Sequence, residues 1–469
     1  MDLRLLQDTI CAIATPIGEA GIGLIRLSGP EALGIARKIF RPKNPAGSLR
    51  SHAVHYGWIK DPVSDEMLDE VLLTFMAAPR TYTREDVVEI NCHSGYAVLN
   101  RILELVLSFG ARLAQPGEFT RRAFLNGRID LSQAEAVIEI IRSRSEQGVL
   151  LANRHLRGDF RKIIEKWRET LLQAQTHIEA FIDFSEELEE EAEQEAPGYE
   201  SLLEEVLEGV TRPLMAALNK YEEGRVLREG LTLVLVGKPN VGKSSMLNAL
   251  LGKDRAIVAA APGTTRDVIE DSFLLKGVQV RILDTAGIRS QPDEIESCGI
   301  EMAIRSVSEA DVVLWLIDNS RPLTDEDKKV YDAIEGVRRI VLLNKSDLPS
   351  AFPAERVRQR FPGPDPVLSL SVKNPSDIER FKAYLVESFI MRPLESCRSE
   401  IVPNLRQKEC LENAMSALLR AEELLRSNAY GELVSLELEC AREQLEAVLG
   451  WGNDGELLDR IFLQFCVGK

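Results

Sequence analysis

The sequence predicts a multidomain α/β chain in which an N-terminal α+β domain is followed by a helical domain that a second α/β domain interrupts. Short strand and helix patterns alternate up to residue 124, helical periodicity dominates 132–228, and helical periodicity returns at 405–449. Strand patterns that end in glycine-rich or polar turns lie between the two helical regions. We therefore expect four segments, of which the second and fourth form one discontinuous helical domain. They are 1–124, 125–228, 229–390 and 391–469.

The inserted α/β domain contains a phosphate-loop pattern, G-K-P-N-V-G-K-S-S, at residues 237–245. A strand pattern at 231–236 precedes it and a helix pattern at 246–251 follows it. In this context the glycines let backbone N–H groups point at a phosphate bound at a helix N-terminus, where the helix dipole also favours negative charge. Lys243 is then expected to reach the outer phosphates and Ser244 to hold Mg²⁺. The alternative is a chance match to this pattern in an ordinary loop, and the strand before and the helix after the pattern argue against it.

Polar turns at later strand ends predict which nucleotide is bound. Asp284 follows an alternating strand pattern and is expected to complete the metal site. Asp347, in the turn 344–347 (Asn-Lys-Ser-Asp), can accept hydrogen bonds from the ring N–H and the exocyclic amine of guanine, and adenine offers neither pattern. The sequence therefore predicts GTP. Residues 371–373 (Ser-Val-Lys) are expected to form the last base-contacting loop, although Val372 stands where GTPases usually carry alanine.

The residue that activates water is less directly indicated. The stretch 263–267, Gly-Thr-Thr-Arg-Asp, lies where a first switch loop belongs, and Thr265 is expected to close over the metal. In Ras-type GTPases a glutamine after the metal-site turn orients the attacking water. Ile288 stands at that position here and cannot orient water, so we expect one of three nearby acids to do so. These are Asp293, Glu294 and Glu296.

The positive charge that stabilises the transition state also has open alternatives. An arginine finger is available from Arg266, from Arg289 or from a partner protein. A bound monovalent cation is the other possibility, and the side-chain oxygen of Asn240 in the phosphate loop is suitably placed for it. The residues alone leave both alternatives open.

Composition and charge limit the remaining possibilities. The 469 residues suit about three domains. The net charge of −17 argues against a chain that coats nucleic acid nonspecifically, so any RNA contact needs a local basic face. The seven cysteines include no C-x-x-C pair, which indicates a reducing compartment without a disulfide framework or structural zinc. With no signal peptide and no apolar run of membrane-spanning length, we expect a soluble cytoplasmic protein.

Three local patterns can be tested against a structure. Ser132 and Glu135 predict a capping box that starts a helix. Cys92 and His93 are adjacent on a strand pattern, so their side chains point to opposite faces, which favours structural roles over a catalytic or metal-binding pair. A basic segment in the helical region is expected either to follow a phosphate backbone or to be a solvated helix face. It consists of Arg142, Arg144, Arg154, Arg157, Arg161 and Lys162.

Together these motifs resemble those of the MnmE (TrmE) family of tRNA-modification GTPases over the whole chain. Beyond the GTPase motifs, the resemblance rests on 8–10 (Asp-Thr-Ile), 14–16 (Ala-Thr-Pro), 117–130 and the C-terminal 465–469 (Phe-Cys-Val-Gly-Lys). The C-terminal segment is the most specific, because general GTPases lack it. Family members mostly carry isoleucine at the position of Val467.

The resemblance implies an N-terminal domain that binds a one-carbon tetrahydrofolate and forms a homodimer. The matching folate positions are Arg26, Glu89, Arg128 and Lys469. The resemblance also implies that K⁺ takes the role of the arginine finger, held by Asn240, Ala259, Ala261 and Thr264. The Mg²⁺ positions are Ser244 and Thr265. Among the three acids, the family pattern selects Glu296 as the residue that orients water.

The nucleotide contacts implied by these motifs cover the phosphate loop, the first switch loop, the turn after the metal-site strand and the two base loops. They are Asn240, Val241, Gly242, Lys243, Ser244, Ser245, Ala259, Ala260, Ala261, Pro262, Gly263, Thr264, Thr265, Asp284, Thr285, Ala286, Gly287, Asn344, Lys345, Asp347, Ser371, Val372 and Lys373.

The implied function is GTP hydrolysis coupled to tRNA modification with the FAD enzyme MnmG (GidA). The modification adds an aminomethyl or carboxymethylaminomethyl group to C5 of the wobble uridine of certain tRNAs, with the carbon from 5,10-methylene- or 5-formyltetrahydrofolate. Cys466 is expected near the folate, where it could take part in the chemistry. The alternative is a ribosome-assembly or signalling GTPase that binds RNA without modifying it. Such a protein has no need for a folate domain or a C-terminal cysteine.

Overall fold

The computed structural model describes residues 8–44, 49–143, 145–187, 199–252, 270–284, 310–363, 365–391, 393, 402–427, 431–452 and 455–469. The chain forms two compact units. The first comprises Met1–Ile138, Arg154–Arg212 and Glu409–Lys469, and the second comprises Glu139–Asn153 and Pro213–Lys408. The boundaries of these two units differ from those of the four predicted segments. The limits of the four segments stay predictions.

The first unit begins with a seven-stranded sheet of strand order β3-β4-β5-β6-β2-β1-β7. Its strands are β1 (Ile10–Ile13), β2 (Gly23–Ser28), β3 (Phe40–Pro42), β4 (Ala53–Lys60), β5 (Met67–Met76), β6 (Val87–Cys92) and β7 (Arg112–Leu113). Neighbours are antiparallel except β1 and β7. Helices Ala32–Ile39 and Tyr96–Ser108 share one apolar core with the sheet. The predicted α+β architecture is confirmed.

Between the two sheets and after the second one, the described chain is mostly helical. The helices there are Glu118–Leu125, Leu131–Arg142, Glu146–Leu156, Asp159–Glu187, Tyr199–Val206, Arg212–Asn219, Tyr221–Glu229, Leu405–Arg426, Gly431–Leu449 and Gly455–Phe462, with a π-helical segment at Leu207–Thr211. None of the described helices combines the length and apolar composition needed to cross a bilayer.

Two long helices that are separated in sequence by the second sheet pack together in the first unit. Gly431 lies against Ile178 and Ile182, and a Cβ at this glycine would stand 3.0 Å from Ile182 Cγ1. Arg168 also donates to Glu446 at 2.6 Å. Because Asp159–Glu187 precedes the second sheet and Gly431–Leu449 follows it, these contacts confirm the predicted discontinuous helical domain.

The predicted capping box at the start of helix Leu131–Arg142 is wrong by two residues. Asp130 rather than Ser132 caps the helix, because Asp130 Oδ1 accepts a hydrogen bond from the Gln133 N–H at 2.9 Å. The Gln133 side chain accepts in return from the Asp130 N–H at 3.0 Å. Ser132 lies in the first turn and donates to Asp130 Oδ1 at 2.6 Å. Asp130 and Gln133 thus form their own capping box, Asp-x-x-Gln, which overlaps the Ser-x-x-Glu pattern.

The second unit contains a six-stranded sheet of order β13-β12-β11-β8-β10-β9. Its strands are β8 (Leu231–Val236), β9 (Glu270–Leu275), β10 (Val278–Asp284), β11 (Val312–Asp318), β12 (Arg339–Asn344) and β13 (Val367–Ser369). Only β9 is antiparallel to its neighbour. The described helices that alternate with these strands are Lys243–Leu251, Asp325–Ala333, Ala354–Arg360 and Pro375–Leu385, the last followed by π-helical Val386–Met391.

Strand β8 lies between β10 and β11 and is buried on both faces. Leu233 and Leu235 belong to one apolar core, and Val234 and Val236 belong to another. A parallel strand covered on both sides is typical of doubly wound α/β folds, which bind ligands at the carboxyl ends of their strands. The predicted phosphate-loop domain is confirmed, and its loop begins where β8 ends.

Candidate functional site

The phosphate loop uses its two glycines for close approaches. Gly237 has φ 150°, and a Cβ there would stand 2.5 Å from the Leu316 carbonyl oxygen of β11. Gly242 has φ 105°, and its Cβ would meet Asn344 Nδ2 at 2.4 Å. Gly242 is the N-cap of helix Lys243–Leu251. The loop therefore ends at a helix N-terminus, which is the geometry that a phosphate needs.

Asn344 joins the phosphate loop to the base loops. Its buried amide donates to the Val241 carbonyl at 2.7 Å and accepts from the Val372 N–H at 3.2 Å. This bond uses the Val372 backbone, while the Val372 side chain packs against the apolar core that contains Leu233 and Leu235. Lys345 Nζ donates to the Asn240 carbonyl at 3.0 Å. Residues predicted separately from three motifs thus lie together at one sheet edge.

Asp347 is held as an ionised acceptor. Its Oδ1 accepts a hydrogen bond from the Ser371 hydroxyl at 2.7 Å, and Lys373 Nζ lies 3.6 Å from Oδ2. The Ser371 hydrogen bond is the main cause that lowers the pKa of Asp347 below its ordinary value. An ionised carboxylate supported in this way can accept two hydrogen bonds from a guanine edge.

Asp318 is a residue of this site that the sequence analysis missed. It ends β11, is 3% exposed and lies 2.7 Å from Lys345 Nζ. Burial raises its pKa, but hydrogen bonds from Lys345 and Ser320 outweigh burial, so the pKa is lowered. The available signal was a lone carboxylate at the end of an entirely apolar strand pattern.

The predicted folate positions Arg26 and Glu89 face each other across β2 and β6. Arg26 Nε donates to Glu89 Oε1 at 2.8 Å, and Arg26 Nη1 donates to the Gly468 carbonyl at 2.9 Å. Gly468 has φ 94°, and a Cβ there would stand 2.8 Å from Ala14 Cα. The structure therefore brings the C-terminal tail onto the end of β1, beside the predicted arginine and glutamate.

Arg128 lies against Tyr82, which the sequence analysis did not single out. Its guanidinium is 4.7 Å from the Tyr82 ring centroid, and it donates to the Tyr82 carbonyl at 3.3 Å. The Tyr82 hydroxyl bonds with Thr120 Oγ1 at 2.9 Å, and the neighbouring Phe119 ring lies 5.8 Å from the Arg26 guanidinium. The aromatic rings of Tyr82 and Phe119 thus lie against Arg128 and Arg26, respectively. No spacing in the sequence indicates these contacts.

The tail around Cys466 is packed without burying the thiol. Phe465 is buried with Phe462 and Leu131, whereas Cys466 is exposed. The Lys469 N–H donates to the Cys466 carbonyl at 3.3 Å. The thiol is therefore accessible close to the Arg26 contact with Gly468.

Cys92 and His93 lie in different surroundings. Burial raises the pKa of the Cys92 thiol to about 11, which keeps it protonated. His93 is exposed and pairs with Asp69 at 2.7 Å. Within the described ranges, no cluster of three His, Cys, Asp or Glu side chains is arranged to bind a metal.

Comparison with known proteins decides the family. Residues 9–128 match the family model described as GTP-binding protein TrmE N-terminus, and residues 131–466, more than half of the chain, match MnmE helical domain. The chain belongs to the MnmE family. A tRNA modification GTPase MnmE of Syntrophobacter fumaroxidans is 56% identical over 469 residues, which is 100% of both chains. Those of Geobacillus kaustophilus and Bacillus subtilis are 43% and 42% identical, covering 98% and 99% of this chain and 99% and 100% of theirs. The resemblance inferred from the motifs is confirmed.

Part of the site expected of an MnmE family member lies outside the described residues. This part comprises Ala259, Ala260, Ala261, Pro262, Gly263, Thr264, Thr265, Thr285, Ala286, Gly287 and Glu296, with the alternatives Arg266, Arg289, Asp293 and Glu294. Asp284 ends β10, where its backbone pairs with Leu235 of β8. Ser244 and Ser245 lie in the first turn of helix Lys243–Leu251. The roles of these residues stay predictions.

The basic segment of the MnmE helical domain is partly neutralised. Arg161 pairs with Glu165 at 2.7 Å, and Lys162 lies 3.7 Å from Asp159. Both partners are one helical turn away, which is typical of a solvated helix face. Whether this segment also contacts RNA stays a prediction.

Proposed function

We propose that this MnmE family protein hydrolyses GTP at the phosphate loop and, with the FAD enzyme MnmG (GidA), modifies C5 of the wobble uridine of certain tRNAs. The group added is aminomethyl or carboxymethylaminomethyl. The observation that carries the proposal is the Arg26, Glu89 and Gly468 arrangement, which accompanies a guanine-type nucleotide site in one chain. A GTPase that only switches and binds RNA needs the nucleotide site but does not need the arrangement of Arg26, Glu89 and Gly468.

The N-terminal arrangement fits a tetrahydrofolate by the chemistry of its side chains. Glu89 offers carboxylate oxygens to the amine and ring N–H donors of a pterin, while Arg128 and Lys469 offer cations to the glutamate tail of a folate. The Arg26 and Glu89 side chains remain 17% and 25% exposed, so a ligand can reach them. The folate would supply the one-carbon unit. Cys466 is proposed to lie near that carbon, with the N-terminal domain forming a homodimer.

The residues proposed for the nucleotide site offer oxygen donors, which hard cations prefer. Ser244 and Thr265, with Asp284, would hold Mg²⁺, and Asn240, Ala259, Ala261 and Thr264 would hold K⁺. These ions would neutralise charge that develops on the phosphates during hydrolysis. The chain itself binds the phosphates with loop N–H groups and Lys243, selects guanine with Asp347, and is proposed to orient water with Glu296.

Reconstitution tests this function most directly. The purified protein and the flavoprotein partner are incubated with unmodified tRNA, GTP, 5,10-methylenetetrahydrofolate, NADH and a nitrogen donor, which is ammonium for the aminomethyl group or glycine for the carboxymethylaminomethyl group. The tRNA is then digested for nucleoside analysis. We expect a C5-modified uridine that depends on both proteins. GTP turnover without modified uridine in the complete mixture would favour the switch-only alternative.

A further inference from the structure

Lys238, the second residue of the phosphate loop, forms an ion pair that phosphate binding does not explain. Its Nζ lies 2.8 Å from Asp327 Oδ2 and donates to Thr324 Oγ1 at 3.3 Å. The Lys238 side chain is 12% exposed and that of Asp327 is 1% exposed. Asp327 is the third residue of helix Asp325–Ala333. A cation of the phosphate loop is thus directed into the protein, onto a neighbouring helix.

The burial of Asp327 is more than its capping role requires. Asp327 Oδ2 accepts from the Thr324 N–H at 2.8 Å and completes a capping box. Its Oδ1 is buried and has no hydrogen-bond partner among the described residues. A buried carboxylate is costly unless a cation pairs with it, and an exposed acid serves a helix N-terminus equally well. Asp325, two residues earlier, is such an acid and is 94% exposed. The buried position of Asp327 is therefore explained by the loop lysine.

We infer that the Lys238–Asp327 pair preorganises the phosphate loop, with Asp327 as a positioning residue for nucleotide binding. Lys238 stands between two left-handed positions, Gly237 at φ 150° and Asn240 at φ 64°. Its carbonyl also accepts a hydrogen bond from Lys243 Nζ at 3.0 Å. Anchoring the Lys238 side chain fixes this backbone before a nucleotide arrives, so less ordering is left to occur during binding.

The test measures Kd for GDP and GTP in the full-length protein, and it rests on the proposed phosphate site. Lys238→Met leaves the capping box intact, so it is the main variant. We expect it to raise both Kd values about tenfold, as loss of a hydrogen bond to a charged group does. Lys238→Arg keeps the cation and should recover most of the affinity. Asp325→Asn, in the same helical turn but on the surface, is the matched control and should leave Kd unchanged.

A double-mutant cycle distinguishes positioning from a general structural role. The double variant Lys238→Met/Asp327→Asn should bind nucleotide no more weakly than the weaker-binding single variant, because each substitution removes the same ion pair. Additive losses, or a Kd for Lys238→Met within about twofold of the parent protein, would overturn the inference. If Asp327→Asn does not fold, the comparison of Lys238→Met with Lys238→Arg decides, and equal affinities would overturn it. Lys243→Ala tests the site itself, since normal nucleotide binding by that variant would show that the phosphate site is misassigned.

Discussion

Asp347 is the residue proposed to select guanine. Its carboxylate is exposed enough to meet a ligand, yet the Ser371 hydroxyl and the Lys373 ammonium support its ionised form. The lowered pKa follows from these contacts. Both oxygens therefore act as acceptors at neutral pH, which suits the two adjacent donors of guanine.

Replacing Asp347 with asparagine should weaken guanine recognition. The amide presents a donor to the donors of guanine, so the Kd for GTP should rise about tenfold or more. Xanthosine triphosphate, which carries a carbonyl in place of the exocyclic amine, should bind the variant better than it binds the parent protein. Competition titrations with the two nucleotides measure this, and an unchanged affinity for GTP would contradict the assignment.

Glu296 is the residue expected to orient the attacking water. Glu296→Ala should leave the Kd for GTP near normal and slow hydrolysis by about 10² or more, as loss of such a group usually does. Single-turnover hydrolysis at saturating GTP is the measurement. Asp293→Ala and Glu294→Ala are matched controls from the same segment. If either control is slowed more than Glu296→Ala, the role belongs to that acid instead.

The potassium prediction concerns Asn240 and its neighbours. If K⁺ supplies the charge of an arginine finger, hydrolysis should be faster in KCl than in NaCl at equal ionic strength, because the site is matched to one ion size. Asn240→Ala should remove most of the difference. Equal rates in the two salts would return the role to Arg266, Arg289 or a partner.

At the scale of elements, helix Leu131–Arg142 begins at a buried acidic cap. Asp130 caps it, is 3% exposed, and leaves its Oδ2 buried without a partner among the described residues. Burial raises the pKa of Asp130, despite hydrogen bonds from Ser132 and Gln133. The folded protein therefore holds the proton of this group more tightly than the unfolded chain does.

The raised pKa of Asp130 makes the stability of the folded protein depend on pH. As pH rises above the ordinary value of 3.8, the unfolded chain ionises more readily, so the contribution of Asp130 to stability falls. Asp130→Asn keeps the cap without the charge and should unfold at equal or higher denaturant concentration at pH 7. Asp130→Ala removes the cap and should cost about 1 kcal/mol. Urea unfolding of both variants checks this, and equal losses would contradict it.

At the scale of the whole molecule, the chain divides into two compact units that carry different candidate ligands. The predicted folate residues lie in the first unit, and the phosphate loop with its base loops lies in the second. Each unit has its own sheet and its own apolar cores. Ligand affinity in one unit should therefore survive damage to the site of the other.

A crossed pair of variants tests this separation. Arg26→Ala should weaken binding of 5-formyltetrahydrofolate about tenfold or more, because it removes charged hydrogen bonds, while the Kd for GTP stays unchanged. Lys243→Ala should abolish GTP binding and leave folate affinity intact. Isothermal titration of both ligands with both variants gives the result. Loss of both ligands in either variant would indicate one shared site or a folding defect.

The sequence by itself determined the fold class and the family, and it predicted the phosphate loop and a guanine-binding turn, because these depend on local patterns that backbone geometry and hydrogen-bond chemistry impose. The sequence contains two overlapping capping patterns, Asp130 with Gln133 and Ser132 with Glu135, and the structure decided between them. Tertiary structure also decided that Asp318 supports Lys345, that Tyr82 lies against Arg128, and that Asp327 anchors Lys238. These pairs are far apart in sequence, and packing, which no local pattern encodes, brings their side chains together.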